Sequence, residues 1–371
     1  MASARIKSFV LARVKGCRAL MASRDLDALV VTRPEDVRYL TGFSGEDSVL
    51  VLTGRRRVLV TDTRFTVQLA QECPGLAVQV RRGSISEGVA AVLKQGRQGR
   101  RKRKSPLIGM ETDAVTVNAF RTYRKAIGDG LRGTVGMVSS LRLCKDDEEI
   151  RQIRKAVRIA EDAMGSVLGW LAAGKSEIEV AAYLEYEMAR RGGGPVAFPS
   201  IVAYGQHAAE PHAQPGRQRL GKRQSVLIDW GARVEGYCSD LTRCFVTGKI
   251  RPAFAEAYQW ILEAQLSAIE AVREGATLRD VNEAARGVLR KSPLPVYGHG
   301  TGHGIGLEIH ENPFLHAKSK GVLKKGMVIT IEPGVYLPGQ FGIRIEDDVL
   351  VGSRGKTVLS NFPKDLESVS L

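Results

Sequence analysis

The sequence predicts an α/β domain over residues 1–140 followed by an α+β domain over residues 141–371 built from a duplicated helix–helix–hairpin. Three observations carry this expectation. A chain of 371 residues with 43% hydrophobic content can bury a sizeable core and should divide into two domains. Helical and strand patterns alternate along its first part. In its second part the segment GKSEIEV at 174–180 recurs as GATLRDV at 275–281, an offset of 101.

In order, residues 4–24 read as an amphipathic helix, 28–32, 48–52 and 57–62 as short strands, and 66–71 and 85–94 as helices. A boundary falls at 141–147, where a long charged helix opens on Asp146, Asp147 and Glu148, acids that suit a helix N-terminus. Each copy of the repeat joins two helices through an S/T-x-x-acid start, Ser176 to Glu179 and Thr277 to Asp280, resembling a capping box. A hairpin carrying acidic residues follows each second helix.

The first hairpin pairs strands at 225–234 and 237–246 across the turn Glu235-Gly236. If Asp229 pairs with Asp240, or with Thr242 so that Asp240 is its diagonal neighbour, both carboxylates share one face. Their Cβ atoms then lie roughly 4.5–8 Å apart, a spacing that suits metals about 3.5–4 Å apart. Pairing with Leu241 would split them. The second hairpin pairs 327–332 with 341–350 across a Gly- and Pro-containing loop, and there Arg344 and Glu346 share a face. An arginine beside a metal carboxylate would hold it ionised and oriented.

Between the hairpins, glycine alternates with His299, Thr301, His303 and Ile305 from Gly298 to Gly306, letting the backbone approach a ligand closely. It is not a dinucleotide loop, because His303 takes the third glycine position of G-x-G-x-x-G. His310 has the opposite parity to His303, so both can reach one site only if the strand bends. Five candidate ligands emerge: Asp229, Asp240, His303, Glu332 and Glu346. Four carboxylates cannot be buried together without counter-charge, and two divalent metals are the natural one.

Other classes are disfavoured. Lys and Arg outnumber Asp and Glu 55 to 40, giving +15, and much of the excess is the run RQGRRKRK at 97–104. No aromatic residue is interleaved there for base stacking, which favours a solvated loop over a specific nucleic-acid contact. No apolar run approaches the ~18 residues needed to span a bilayer, and Arg and Lys break the N-terminus before a signal core can form, so a cytoplasmic protein without membrane contact is expected. Five cysteines, an odd number without C-x-x-C spacing, argue against disulfides or structural zinc.

Taken together, DWGA with YCSDLTR, GHGIGLEIHENP, TIEPGVY and GIRIEDD resemble the pita-bread metallopeptidases, in particular the Xaa-Pro branch of aminopeptidase P and prolidase. ALVVTRPEDVRYLTGFSG resembles the creatinase-type N-terminal domain of that branch. The resemblance spans nearly the whole chain. It implies that Asp229 chelates one metal, that Asp240 and Glu346 bridge two, and that His303 and Glu332 complete the second site. It implies manganese, cobalt or zinc, and the oxygen-rich set favours manganese. His212, His310 and Glu332 take catalytic places, with Glu332 receiving the proton of the attacking water and His310 facing the tetrahedral intermediate. His299 and Arg344 line the substrate pocket. The implied substrate is a peptide with proline second, cleaved by an aminopeptidase or, alternatively, a dipeptidase, and the implied assembly is a homodimer. Metal-free, creatinase-like hydrolysis predicts missing ligands, yet all five are present. A non-catalytic protein that binds nucleic acid or ribosomes on the same fold is the alternative of another class. Tyr204 and His207 stand where the family usually has a small residue and Asn, which raises a reshaped pocket wall.

Overall fold

The computed structural model describes the backbone of residues 2–95 and 106–371, with their side chains from Ser8 onward. The basic run at 97–104 therefore lies outside the described residues. The chain forms two compact units, Met1–Arg142 and Leu143–Leu371.

In the first unit, α1 (Ala2–Ser23), β1 (Ala28–Val31), α2 (Pro34–Thr41), β2 (Val49–Thr53), β3 (Arg57–Thr61), α3 (Thr66–Glu72), β4 (Ala77–Val80), α4 (Ile85–Gln95), β5 (Ile108–Glu111), α5 (Val117–Ile127), β6 (Leu131–Thr134) and the short α6 (Ser139–Arg142) follow in order. Six strands form one sheet in the order β4-β3-β2-β1-β5-β6. Antiparallel pairs join β1, β2 and β3, and parallel pairs add the outer strands. Beyond the expected elements, the structure adds α2, β4, β5, α5, β6 and α6. The punctuation of α2 was present, with Pro34 at its start and Gly42 at φ 84° past its end, but eight residues carry too little periodicity to declare a helix.

The second unit opens with α7 (Asp147–Trp170), capped by Asp146 in a reciprocal box with Glu149. Then come α8 (Glu177–Arg190), β7 (Ile201–Tyr204), β8 (Ser225–Trp230), β9 (Arg233–Val234), β10 (Tyr237–Cys238) and β11 (Leu241–Val246). The second copy comprises α9 (Pro252–Ala271), α10 (Leu278–Leu289), β12 (Gly302–Gly304), β13 (Glu311–Leu315), β14 (Val328–Ile331), β15 (Gly334–Leu337), β16 (Phe341–Arg344), β17 (Asp347–Gly352) and β18 (Gly355–Val358). This is the pita-bread fold.

Its duplication is visible bond by bond. Gly174 N donates to Leu220 O and Leu220 N to Lys175 O, both 2.8 Å; Gly275 N donates to Leu323 O at 2.9 Å and Leu323 N to Ala276 O at 2.8 Å. Gly174 and Gly275 both hold positive φ, 92° and 83°, a conformation that favours glycine. Val180 and Val281, the matching ends of the repeat, are fully buried.

One register runs along the first ribbon, from Val246 opposite Ser225 to Tyr237 opposite Val234, and it sets Thr242 opposite Asp229. The turn is Glu235 and Gly236, with φ 48° and 82°, as a type I′ turn requires. Neither strand is continuous. A Cβ on Gly231 would lie 2.0 Å from the Ser239 carbonyl oxygen, and the ladder lapses between β8 and β9 and between β10 and β11. Asp240 stands in that lapse. The second ribbon is longer than expected, because residues 334–337 pair as β15 instead of forming the loop. Its register pairs Ile331 with Asp347 and Gly334 with Arg344, so Glu332 lies across from Glu346. An isolated bridge between Thr242 and Glu346 joins the two ribbons.

Side-chain alternation decides which face sees the site. Val226, Ile228, Trp230, Val202 and Tyr204 pack on α7 and α8, where Trp230 Nε1 donates to Ala160 O at 2.9 Å. Asp229 shares the other face with Leu227. Tyr204 is fully buried in the α7–α8 core, on the face opposite Asp229. Its side chain therefore points away from the face that carries Asp229.

Candidate metal centre

Ligand atoms of Asp240, His303 and Glu346 lie within 4.8 Å of one another, and all three residues are buried. His303 Nε2 is 3.5 Å from Asp240 Oδ2 and 3.5 Å from Glu332 Oε1. Asp229 joins through Arg344, whose Nη2 donates to its Oδ2 at 2.6 Å. The five candidate ligands therefore belong to one cluster.

Four of the five are held by hydrogen bonds from their own backbone N–H groups. Glu346 N donates to Thr242 O at 3.2 Å, and Thr242 Oγ1 donates to Glu346 Oε2 at 2.6 Å. Asp240 N donates to Asp348 Oδ2 at 3.0 Å. Glu332 N donates to Thr301 O at 2.8 Å, and His303 N to Thr330 Oγ1 at 3.1 Å. A Cβ on Gly302 would lie 1.9 Å from Thr330 O, so glycine permits the close approach of β12 to β14.

The electrostatics ask for cations. Burial, then Glu346 and Asp229, push Asp240 well above the usual carboxylate range. Burial, Glu332 and Asp229 do the same to Glu346. Burial pushes Glu332 up to about 7, with Arg344 pulling against it and Asp229 adding to it. Burial, helped by His310, holds His303 down to about 4, which leaves a neutral imidazole able to donate a lone pair. Asp229 Oδ1 is buried without a hydrogen-bond partner. A cluster of carboxylates with a neutral imidazole and an unsatisfied buried oxygen fits divalent metal ions.

The histidines separate by surroundings. The parity problem of His303 and His310 is solved by a register shift between His303 and Gly304, and the two rings end 4.4 Å apart. Burial lowers the His310 imidazole below its ordinary value. His212 is exposed on the segment between β7 and β8, near enough to influence both His299 and His310. His299 is engaged at both nitrogens, Nδ1 with Gly300 O at 2.7 Å and Nε2 with the Tyr336 hydroxyl at 3.0 Å. Burial lowers it to about 4.

Arg344 is likewise occupied by the protein. Besides Asp229, it donates to Thr242 Oγ1 at 3.1 Å, Pro211 O at 3.2 Å and the Tyr336 hydroxyl at 2.9 Å. Burial opposes its charge, and Tyr336, Asp229 and Glu346 outweigh that cost. Sequence reasoning passed over Tyr336, which links His299 to Arg344, and Asp348, which anchors Asp240. Asp348 carries no local signal, since Asp240 is distant in sequence, and Tyr336 meets Arg344 only because residues 334–337 pair as β15.

The chain matches metallopeptidase family M24 over residues 151–353 and the creatinase/prolidase N-terminal domain over residues 13–144. The chain belongs to metallopeptidase family M24, and it is a metallopeptidase. It is 32% identical to the uncharacterized peptidase YqhT of Bacillus subtilis over 95% of this chain and 99% of that protein. Among solved structures it is similar to an Xaa-Pro dipeptidase from Bacillus anthracis, with TM-score 0.91 and 34% identity over 98% of this chain and all of that one. It is similar also to an X-Pro aminopeptidase from Thermotoga maritima, with TM-score 0.84 and 33% identity over 92% and 97% of the two chains. Among the described residues no helix is long and apolar enough to cross a membrane.

Proposed function

We propose that the chain hydrolyses the peptide bond between an N-terminal residue and proline, as an Xaa-Pro aminopeptidase. The convergence of Asp240, His303 and Glu346 with Asp229 and Glu332 in one buried cluster supports this reading most. The five would hold two divalent cations, and the oxygen-rich donor set favours manganese over cobalt or zinc. When bound, the cations supply Lewis-acid polarisation and bring the pKa of water toward neutrality. Glu332, whose Oε1 lies 3.5 Å from His303 Nε2, is placed to take the proton of the attacking water near neutral pH. His310, neutral at that pH, donates a hydrogen bond to the peptide oxygen as negative charge develops there. His212, exposed on the segment between β7 and β8, takes a catalytic place facing the scissile peptide. Arg344 orients Asp229, while His299, saturated by Gly300 and Tyr336, shapes the pocket wall.

A second reading, Xaa-Pro dipeptidase, is supported by the likeness to the Bacillus anthracis protein. Both readings carry a homodimer in the cytoplasm, and five cysteines without a disulfide suit a reducing compartment. The test is hydrolysis of X-Pro dipeptides, longer X-Pro peptides and Met-Ala peptides by chelated protein with and without manganese. Metal-dependent cleavage confined to X-Pro bonds is expected, and preference for the longer peptides selects the aminopeptidase. Preference for dipeptides selects the other, and cleavage of Met-Ala alone overturns both.

A further inference from the structure

The segment between β7 and β8 leaves the sheet at Tyr204, makes a 3₁₀ turn over Gly205–Ala209, and carries Pro211 and His212 before returning at Gly216. A single carboxylate closes its neck. Glu177, the first residue of α8, is fully buried. Its Oε1 accepts from Tyr204 N at 2.9 Å and from His207 Nδ1 at 2.8 Å, and its Oε2 accepts from Gly216 N at 2.9 Å. A carboxylate only accepts, so His207 carries its proton on Nδ1. The tip of the segment is held from the other copy of the repeat. A Cβ on Gly342 would lie 1.7 Å from Ala208 O, and Arg344 Nη1 donates to Pro211 O at 3.2 Å.

Helix capping does not account for Glu177. The start of α8 is already closed by the box of Ser176 with Glu179, and the place of Glu177 in the second copy, 101 residues on, is taken by Leu278. The buried carboxylate is thus particular to the segment that bears His212. A buried carboxylate that satisfies both ends of a loop removes much of the loop's freedom. We propose that Glu177, acting with His207, is a positioning residue that holds the loop at 205–216 so that His212 faces the scissile peptide. This rests on the catalytic place given to His212 under the proposed function. It also gives His207 a role at the loop neck instead of at the pocket wall.

The experiment uses full-length, manganese-loaded protein carrying Glu177→Gln, with Glu177→Leu, which copies the second repeat, as a second variant. On an X-Pro peptide, kcat/KM should fall about 10–100-fold, the usual range for a lost orienting partner. In a His212→Ala background the same change should cost less than about 2-fold, because residues acting through one another are not additive. Backbone amide exchange should rise across residues 205–216 and stay unchanged in β8 and β11. Equal losses in both backgrounds, or unchanged exchange in the loop, would overturn the proposal. If the unmodified protein cleaves no X-Pro peptide, the reading of His212 falls, and the exchange measurement alone decides whether Glu177 holds the loop.

Discussion

Replacing Asp240 with Asn should move the stability of the protein in opposite directions with and without metal. Asn keeps the shape of Asp240 and the backbone bond to Asp348 at 3.0 Å, and it removes one charge from the carboxylate cluster. The ligand oxygens of Asp240 and Glu346 lie within 4.8 Å. Two like charges at that distance repel by about 3.5 kcal/mol at an effective dielectric of about 20. Proton uptake relieves part of this, and relief of half leaves about 1.7 kcal/mol, which corresponds to a rise of about 3–7 °C in Tm for a unit of this size. With metal the sign reverses. A metal at 100 times its Kd stabilises the unmodified protein by about 2.7 kcal/mol per site, and the variant should forgo that gain together with its turnover. Thermal melts of both proteins, in chelator and in excess manganese, are the assay. The reasoning fails if the variant melts below the unmodified protein in chelator, or if both rise equally on adding manganese.

Two further outcomes concern the stability of the fold. Glu111 is buried in the first unit, where burial and the charge of Asp36 push its carboxyl to about 7 from an unfolded value of 4.5. The folded chain then holds a proton that the unfolded chain releases, so its contribution is full below the unfolded value and is lost as pH rises through about 7. The loss is at most about 3 kcal/mol. Urea unfolding of Glu111→Gln followed by circular dichroism between pH 5 and 8 should show a smaller decline than the unmodified protein; an equal decline rejects the assignment. Arg243 is buried against Asp347 at 2.7 Å and donates to the carbonyls of Thr242, Glu346, Phe362 and Pro363. Arg243→Met should cost about 3–5 kcal/mol, the usual penalty for breaking a buried pair from one side, and a loss below about 1 kcal/mol in urea unfolding would contradict that role.

The sequence by itself determined the elements whose causes are local. Residues 174–180 and 275–281 announce the duplication because a positive-φ glycine and a capping hydroxyl are needed wherever these helices begin. Glu235-Gly236 announces the first ribbon because few residue pairs accept two positive φ values, and the spacing of Asp229 and Asp240 places both on one face in either favoured register. The short α2 and strands such as β4 escaped, since elements this brief owe their existence to the sheet they join. Tertiary structure alone decided which register was used, where the strand bends to bring His310 beside His303, and that Tyr204 turns into the core. It also brought Tyr336 and Arg344 to Asp229, and Glu177 to both ends of the loop at 205–216. The physical reason is that alternation and turn chemistry act between neighbours in the chain, whereas a buried hydrogen bond or ion pair is chosen by whichever group packing brings within reach.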